Sequence, residues 1–184
     1  MSQPFDLSKT AMVAVARESL LALRSALVRD LGPNAASYLQ EAGYAGGESL
    51  YSAFARWMSA RGLGSPEALP TTEFGRRATE FFKAAGWGGL ELGTLRDSIA
   101  TIDSLDWAEA DPSSGLDYPG CHLTTGMFAD FFGRLAGQPI AVMEVECRSS
   151  GGQQCRFLLG SSEVMQQLYD EMASGADYRA ATVQ

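Results

Sequence analysis

Three cysteines and a glycine-rich turn between two of them constrain the fold of this chain most. Cys147 and Cys155 flank a Ser-Ser-Gly-Gly segment, which is typical of a tight turn. Alternating residues over 139–146 and 154–159 predict the two strands of a hairpin on either side of that turn. Folding this hairpin would bring the two sulfur atoms together. Cys121 lies at the start of a predicted helix, where the helix dipole favours a thiolate over a thiol.

A carboxylate could complete a set of four metal ligands. Thiolate sulfur suits zinc, and Glu144 could add one oxygen to the three sulfur atoms. Glu144 and Cys147 would point to opposite faces of an ideal strand, so joint ligation requires the strand to end or twist by Glu146. Glu146 is itself a competing ligand, and His122 is another, although its neighbour Cys121 makes joint binding awkward. The alternative to a metal site is a group of inert buried thiols beside an exposed glutamate.

The residue inventory argues against catalysis at such a site. Histidine occurs once in the 184 residues, which excludes any site that needs two, such as that of the HExxH zinc hydrolases. Four protein ligands would leave no position open for a substrate or an activated water, so the metal would be structural. No GxGxxG motif follows a predicted strand, and no Walker A motif is present. The sequence offers no catalytic residue and favours a binding module over an enzyme.

The balance of charge excludes one class of partner. The chain has 14 Lys and Arg residues against 22 acidic residues, and its formal net charge is −8. Binding to nucleic acid depends on clustered cations, so we expect no direct nucleic-acid partner. The N-terminus shows no signal peptide, and no apolar stretch is long enough to span a membrane. An odd number of cysteines without a secretion signal indicates reduced thiols, and hence a cytoplasmic protein.

The apolar periodicity predicts an α+β fold. We expect a single domain over residues 1–173 and a weakly structured tail over residues 174–184. Helices are predicted over residues 11–31 and 33–60, from Thr71 or Thr72 as a capping residue through Phe82, and over residues 121–135 and 162–172. A hairpin over 89–95 and 98–107 precedes the hairpin of the cysteines. The resulting fold is an antiparallel sheet of two hairpins packed with the N-terminal helices, a central helix and a C-terminal helix.

Two details of the N-terminal helices follow from their sequences. The first helix would bury its leucines and place Arg17 and Arg24 on a solvated flank. Its leucine-rich face could serve a dimer as readily as a monomer core. Gly43, Gly46 and Gly47 lower the helix propensity of the second helix. These glycines would permit either a kink or close packing against another backbone.

Aromatic residues near the predicted boundary between helices and sheet could line an apolar ligand pocket. The six candidates are Phe74, Phe81, Trp87, Trp107, Phe128 and Phe131. For each of them, ordinary core packing is the alternative. We therefore predict a small apolar or aromatic ligand without identifying it.

The cysteine segment resembles the 4-vinyl-reductase domain family. The carrying motif is C121-H-L-T-T-G, followed after a helix by E144-V-E-C147 and, seven residues further on, C155-R-F. The resemblance implies the fold of transport-protein-particle (TRAPP) subunits and homodimers formed through the N-terminal helices. It is also similar to the domains of phenol- and toluene-sensing activators. There the family places a structural zinc, which the match assigns to Cys121, Glu144, Cys147 and Cys155.

The resemblance and the residues together predict a stand-alone sensory or carrier domain for an apolar or aromatic molecule, stabilised by a structural zinc. One alternative is an accessory enzyme or carrier that acts in tetrapyrrole metabolism, including reduction of a vinyl group. Another alternative is a dimeric scaffold. The polar residues that fix phenol in the related sensors have no secure counterparts here. Because the chain ends about 30 residues after the cysteines, we expect any signal to pass through a separate effector protein.

Overall fold

Five α-helices and a four-stranded sheet form the part of the chain that the structure describes, residues 10–181 of this computed structural model. The helices are α1 (Arg17–Leu31), α2 (Ala35–Ser59), α3 (Thr71–Ala84), α4 (His122–Ala136) and α5 (Ser162–Ala173). The strands are β1 (Glu91–Arg96), β2 (Ile99–Ser104), β3 (Ala141–Glu146) and β4 (Cys155–Gly160). The predicted α+β fold is confirmed. The first nine and last three residues of the predicted domain and tail lie outside the described residues.

The sheet joins the two predicted hairpins into one antiparallel layer with strand order β1-β2-β4-β3. The second strand of each hairpin lies at the centre, where Ile102 pairs with Phe157. Both of these side chains are fully buried. This pairing places Cys155, the first residue of β4, opposite the end of β2 at Ser104. The cysteine hairpin is thereby fixed to the rest of the sheet.

Glycines let α2 and α4 pack with their backbones in contact. A Cβ atom added to Gly43 would lie 1.9 Å from the carbonyl oxygen of Leu123, and one added to Gly126 would lie 1.9 Å from that of Gln40. At Gly47 the added atom would meet the side chain of Asp130. Gly46 has no neighbour within 4 Å of such an atom. Of the two sequence-based alternatives, close packing therefore explains Gly43 and Gly47, and it fixes α4 against α2.

The core lies between the helices and one face of the sheet. Aromatic rings from α2, α3 and α4 pack there against Trp107 and Phe157. As predicted, α3 begins at Thr71 and buries Phe74, Phe81 and Phe82. Its N-cap, however, is Pro70, which makes no side-chain capping bond, so neither Thr71 nor Thr72 caps this helix. Pro is compatible with a helix start because the backbone N–H that it lacks has no partner there.

The first helix is shorter and faces differently from its prediction. It begins at Arg17, and residues 11–16 are not helical. Leu23 and Leu31 are exposed, whereas Arg24 is the one buried residue of α1. The expected solvated flank is wrong for Arg24 because its guanidinium group finds buried oxygen acceptors on a distant loop. Spacing along a helix defines two faces, but contacts outside the helix decide which of them is buried.

The segment that follows α5 packs on the other face of the sheet. Over residues 174–181 it contains turns, without a helix or strand, and its Tyr178 and Ala181 are buried. They lie with Ile99, Leu158 and Leu168 in a second apolar cluster. Within residues 10–181, no helix has the length and the apolar character needed to cross a bilayer.

Candidate metal centre

The structure brings Cys121, Glu144, Cys147 and Cys155 into one buried group. One ligand atom from each residue lies within 4.8 Å of all the others. The Sγ atom of Cys121 is 3.8 Å from that of Cys147 and 4.0 Å from that of Cys155. All three cysteines are free thiols. The prediction that these residues converge is confirmed, and the group is one that could hold a metal ion.

A shift in strand register brings Glu144 and Cys147 to the same side of β3. Glu144 pairs with Phe157, but Glu146, two residues further on, pairs with the adjacent Arg156. The extra residue on β3 offsets the alternation of side chains, as in a β-bulge. This is the irregularity before the turn that the sequence argument required for joint ligation.

Glu146 does not belong to the group, because its carboxylate is held on another face. One oxygen of Glu146 accepts hydrogen bonds from the Tyr178 hydroxyl and from Arg179, and the other accepts one from Gln154. His122 lies outside the group as well, with its ring stacked on that of Tyr118. Among the competing ligands considered, the geometry therefore places Glu144 beside the three sulfur atoms.

The turn between the two hairpin cysteines depends on its glycines. Residues Arg148–Ser150 form a short 3-10 turn, and Gly151 has a φ of 84°, a conformation that favours glycine. The amide of Gly152 donates to the carbonyl oxygen of Cys147, and a Cβ atom at Gly152 would lie 2.8 Å from that oxygen. The Ser149 amide lies 3.4 Å from the Cys147 sulfur, toward which it donates. The turn thus orients Cys147 as well as reversing the chain.

The distances within the group fit a tetrahedral metal ion. Zinc–sulfur bonds of about 2.3 Å place the sulfur ligands of a tetrahedron about 3.8 Å apart. The carboxylate supplies a second observation: Oε2 of Glu144 accepts from the Cys121 amide, whereas Oε1 is buried and has no hydrogen-bond partner. A buried oxygen without a partner is costly, and a cation would satisfy it. The four residues therefore fit a metal ion with no further protein ligand.

The electrostatics of the group call for a cation too. Burial raises the pKa of Glu144 to about 9, and the adjacent thiols together with burial raise the pKa of Cys121. Three thiolates and a carboxylate cannot all be charged in a buried space without a compensating positive charge. A divalent zinc ion would leave a formal charge of −2 on the centre and hold all four ligands deprotonated. With four protein ligands, such an ion would be structural.

A buried carboxylate that the sequence argument missed supports the helix on which Cys121 lies. Glu109 accepts hydrogen bonds from the Leu123 and Thr124 amides and from the Thr124 hydroxyl, so it caps the N-terminus of α4. Trp107 donates its indole N–H to the same hydroxyl. Desolvation raises the pKa of Glu109 to about 7. Glu109 is 15 residues distant from Thr124 in a predicted loop, so no helix-capping pattern in the sequence reveals it.

The six aromatic ligand candidates lie in or beside one continuous network of rings. Five are buried, and Trp87 is half-buried with its ring stacked on Trp107. Neighbouring rings are already in contact, for example Trp107 and Phe128 at a centroid distance of 5.2 Å. Ligand binding by these residues stays a prediction. Binding of another ring among them would require some of these side chains to move.

Two polar atoms in this aromatic region have no hydrogen-bond partner and were not singled out from the sequence. They are the indole nitrogen of Trp57 and the hydroxyl oxygen of Tyr51, both on α2. The Trp57 ring packs against Phe54 and Phe81 and is covered by the guanidinium group of Arg61. Helical spacing assigns Trp57 to the core, but only the packed structure shows that its N–H group lacks an acceptor.

With this geometry described, the chain can be compared with known proteins. Residues 108–161 match the family model of the vinyl-4-reductase domain. The matched segment contains all four residues of the candidate metal centre as well as Glu109, Thr124 and Ser149. The resemblance predicted from the cysteine motif is confirmed. No curated protein sequence matches the chain.

Solved structures extend the similarity beyond this segment. The phenol-responsive sensory domain of the transcription activator PoxR, determined with phenol, has a TM-score of 0.65 and 18% identity. That match covers 90% of this chain and 84% of the sensory domain. A trafficking protein particle complex subunit 3 from Naegleria fowleri, covalently bound to palmitic acid, gives 0.57 and 15%, over 78% and 93% of the two chains. At these identities the similarity establishes the fold.

A vinyl-4-reductase family protein from Methanocaldococcus jannaschii also matches, with a TM-score of 0.47 and 15% identity. That match covers 81% of this chain and 96% of the archaeal protein.

Proposed function

We propose that this protein is a small-molecule-binding domain for an apolar or aromatic ligand, and that a zinc ion in the Cys3Glu group holds its fold together. The ligand proposal depends mainly on one observation. The indole N–H of Trp57 is buried among aromatic rings without an acceptor. A buried polar group is normally hydrogen-bonded, so this unpaired donor favours a ligand that carries an acceptor oxygen. Phenol is such a molecule, and the similarity in fold to the phenol-responsive domain supports this choice.

The metal belongs to the same proposal because the Cys3Glu group forms the end of the core. Cys121, Cys147 and Cys155 all lie in the apolar cluster that contains the aromatic rings. A zinc ion there would fix the start of α4 to the β3–β4 hairpin. The aromatic side chains of α4 would then be held in register with those of the sheet. Thiolate ligands favour zinc over magnesium or calcium, which prefer oxygen.

The test combines metal content with ligand binding on the purified full chain. We expect native mass spectrometry to show one zinc ion per chain in the wild type and none in Cys155→Ser. We also expect phenol to change the tryptophan fluorescence of the zinc-loaded protein in a saturable manner. A metal-free wild type would overturn the zinc proposal. Zinc-loaded protein that binds neither phenol nor toluene would overturn the ligand proposal.

We further propose a homodimer in which a second copy covers the apolar face of α1. The side chains of Leu23 and Leu31 are 57% and 38% exposed, and Val15, just before the helix, is 65% exposed. Apolar residues grouped on one exposed surface are typical of an interface. This arrangement is also what the family resemblance implies for the N-terminal helices.

A further inference from the structure

A buried arginine attaches α1 to the rest of the domain. Arg24 is 2% exposed, although the helix around it faces largely outward. Its Nη1 atom donates to the carbonyl oxygen of Glu109 at 2.6 Å and lies 3.5 Å from the hydroxyl oxygen of Ser149. A guanidinium group cannot lose its charge in a protein, so its burial is tolerated only while such acceptors are in place. The position of α1 therefore depends on the position of these two oxygen atoms.

Arg17 strengthens the same attachment. It lies seven residues before Arg24, on the same side of α1, and donates to the carbonyl oxygens of Ala108 and Ala110 at 2.8 and 2.7 Å. Together the two arginines bind three successive carbonyl groups, those of residues 108–110. Since α1 buries no apolar side chain completely, these hydrogen bonds are the main specific connection between the helix and this loop.

Both acceptors of Arg24 lead directly to the candidate metal centre. The carboxylate of Glu109 caps α4, whose N-cap residue is Cys121. Ser149 donates its amide toward the sulfur of Cys147, and its hydroxyl oxygen accepts from the Asp111 amide. Arg24 is thus one residue away from two of the four candidate ligands, along separate paths. Groups that hold metal ligands in this manner affect metal affinity when they are removed.

We propose that Arg24 is a positioning residue through which zinc binding and the docking of α1 stabilise each other. The inference rests on the zinc centre proposed above. Zinc would hold the hairpin turn and the start of α4 in place, which keeps the Ser149 and Glu109 oxygens where Arg24 needs them. Docked α1 would in turn hold those oxygens in the arrangement that the ligands require. Such coupling is reciprocal, so each event strengthens the other by the same factor.

The first test measures the zinc affinity of arginine variants by competition with a fluorescent chelator. We expect Arg24→Met, which keeps the length of the side chain without its donors, to weaken zinc binding about tenfold. Arg24→Lys keeps the charge and one donor, and we expect it to recover part of this loss. Arg29→Met is the matched control, because Arg29 is exposed on the same helix and pairs with its neighbour Asp30. Its zinc affinity should equal that of the wild type.

The second test measures hydrogen exchange of the α1 amides with zinc and after its removal by a chelator. In the wild type we expect removal to accelerate exchange in α1, although the residues that Arg24 contacts lie 85 and 125 positions away in sequence. In Arg24→Met, exchange in α1 should be fast in both states. This readout distinguishes coupling from general destabilisation, because only coupling makes the zinc effect on α1 disappear in the variant.

Each outcome decides the question. Zinc-independent exchange of α1 in the wild type, or an Arg24→Met affinity within about twofold of the wild type, overturns the coupling and leaves the zinc proposal standing. A wild type that binds no zinc overturns both. If Arg24→Met does not fold, the wild-type exchange measurement still decides, and Ser149→Ala replaces it in the affinity test with a weaker expected loss.

Discussion

Trp57 illustrates how much the surroundings of one side chain add to its identity. Its ring does what an apolar residue of α2 is expected to do, since it packs between Phe54 and Phe81. Its N–H group is the exception, because it is buried and has no acceptor. The cost of leaving such a donor unpaired is about 1–3 kcal/mol. A ligand with an oxygen atom at that position would recover part of this cost.

The prediction at this scale is a change in ligand preference on replacing Trp57. Trp57→Phe removes the donor and keeps an aromatic ring, so we expect phenol affinity to fall about fivefold, the value of one hydrogen bond of about 1 kcal/mol. Toluene has no oxygen atom and should bind the variant and the wild type equally. Titrations monitored by the fluorescence of Trp87 and Trp107 provide the measurement. Equal losses for phenol and toluene would show that Trp57 acts through packing alone.

At the scale of elements, the contact between α2 and α4 supports the whole site. α4 carries Cys121 at its start and Phe128 and Phe131 in the core, so its distance from α2 sets the position of both. Gly43 and Gly126 permit this distance because each lies against a backbone carbonyl group of the other helix. Contacts between backbones cannot be relieved by a change of rotamer. A side chain at either position therefore has to push the helices apart.

Two glycine substitutions separate this contact from ordinary helix propensity. In Gly126→Ala the added Cβ atom would lie 1.9 Å from the Gln40 carbonyl oxygen, and we expect a loss of roughly 2–4 kcal/mol in the free energy of unfolding. Gly46→Ala is the control, because nothing lies within 4 Å of its added atom and alanine favours a helix. It should gain about 0.5–1 kcal/mol. Urea denaturation measures both, and an unaffected Gly126→Ala would contradict the backbone contact.

For the whole molecule, the two sides of α1 have different tasks. Buried Arg24 points to the domain, and the leucines on the helix point outward. The polar side thus serves the attachment within one chain, while the apolar side is available to a second copy. The attachment and the proposed interface use opposite sides of one helix, so a change on one side can be tested without removing the other.

The prediction for assembly concerns Leu23. A charge at the centre of an apolar interface is strongly unfavourable, so Leu23→Glu should shift the protein from dimer to monomer at micromolar concentration. Leu105→Glu is the matched control, since Leu105 is 71% exposed in the loop after β2 and away from α1 in sequence. Light scattering measures the mass of wild type and variants. A monomeric wild type, or a dimeric Leu23→Glu, would contradict the proposed interface.

The sequence by itself determined the elements and the residues of the candidate metal centre. Periodicity located the helices and hairpins, and the spacing of Glu144, Cys147 and Cys155 around a glycine-rich turn predicted the buried group that the structure contains. These predictions succeed because the determinants are local: a turn, a strand alternation and a helix start are each encoded within a few residues. The glycines of α2 belong here too, although the sequence left close packing and a kink equally open.

Only the tertiary structure decided how the faces of these elements are used. Arg24 is buried because oxygen atoms 85 and 125 residues further along the chain accept its hydrogen bonds. Glu109 caps a helix from within a distant loop, and the register shift in β3 selects Glu144 over Glu146. The unpaired N–H of Trp57 depends on every ring around it. Each is the outcome of contacts between segments far apart in sequence, and no local pattern records which acceptor such contacts will bring within reach.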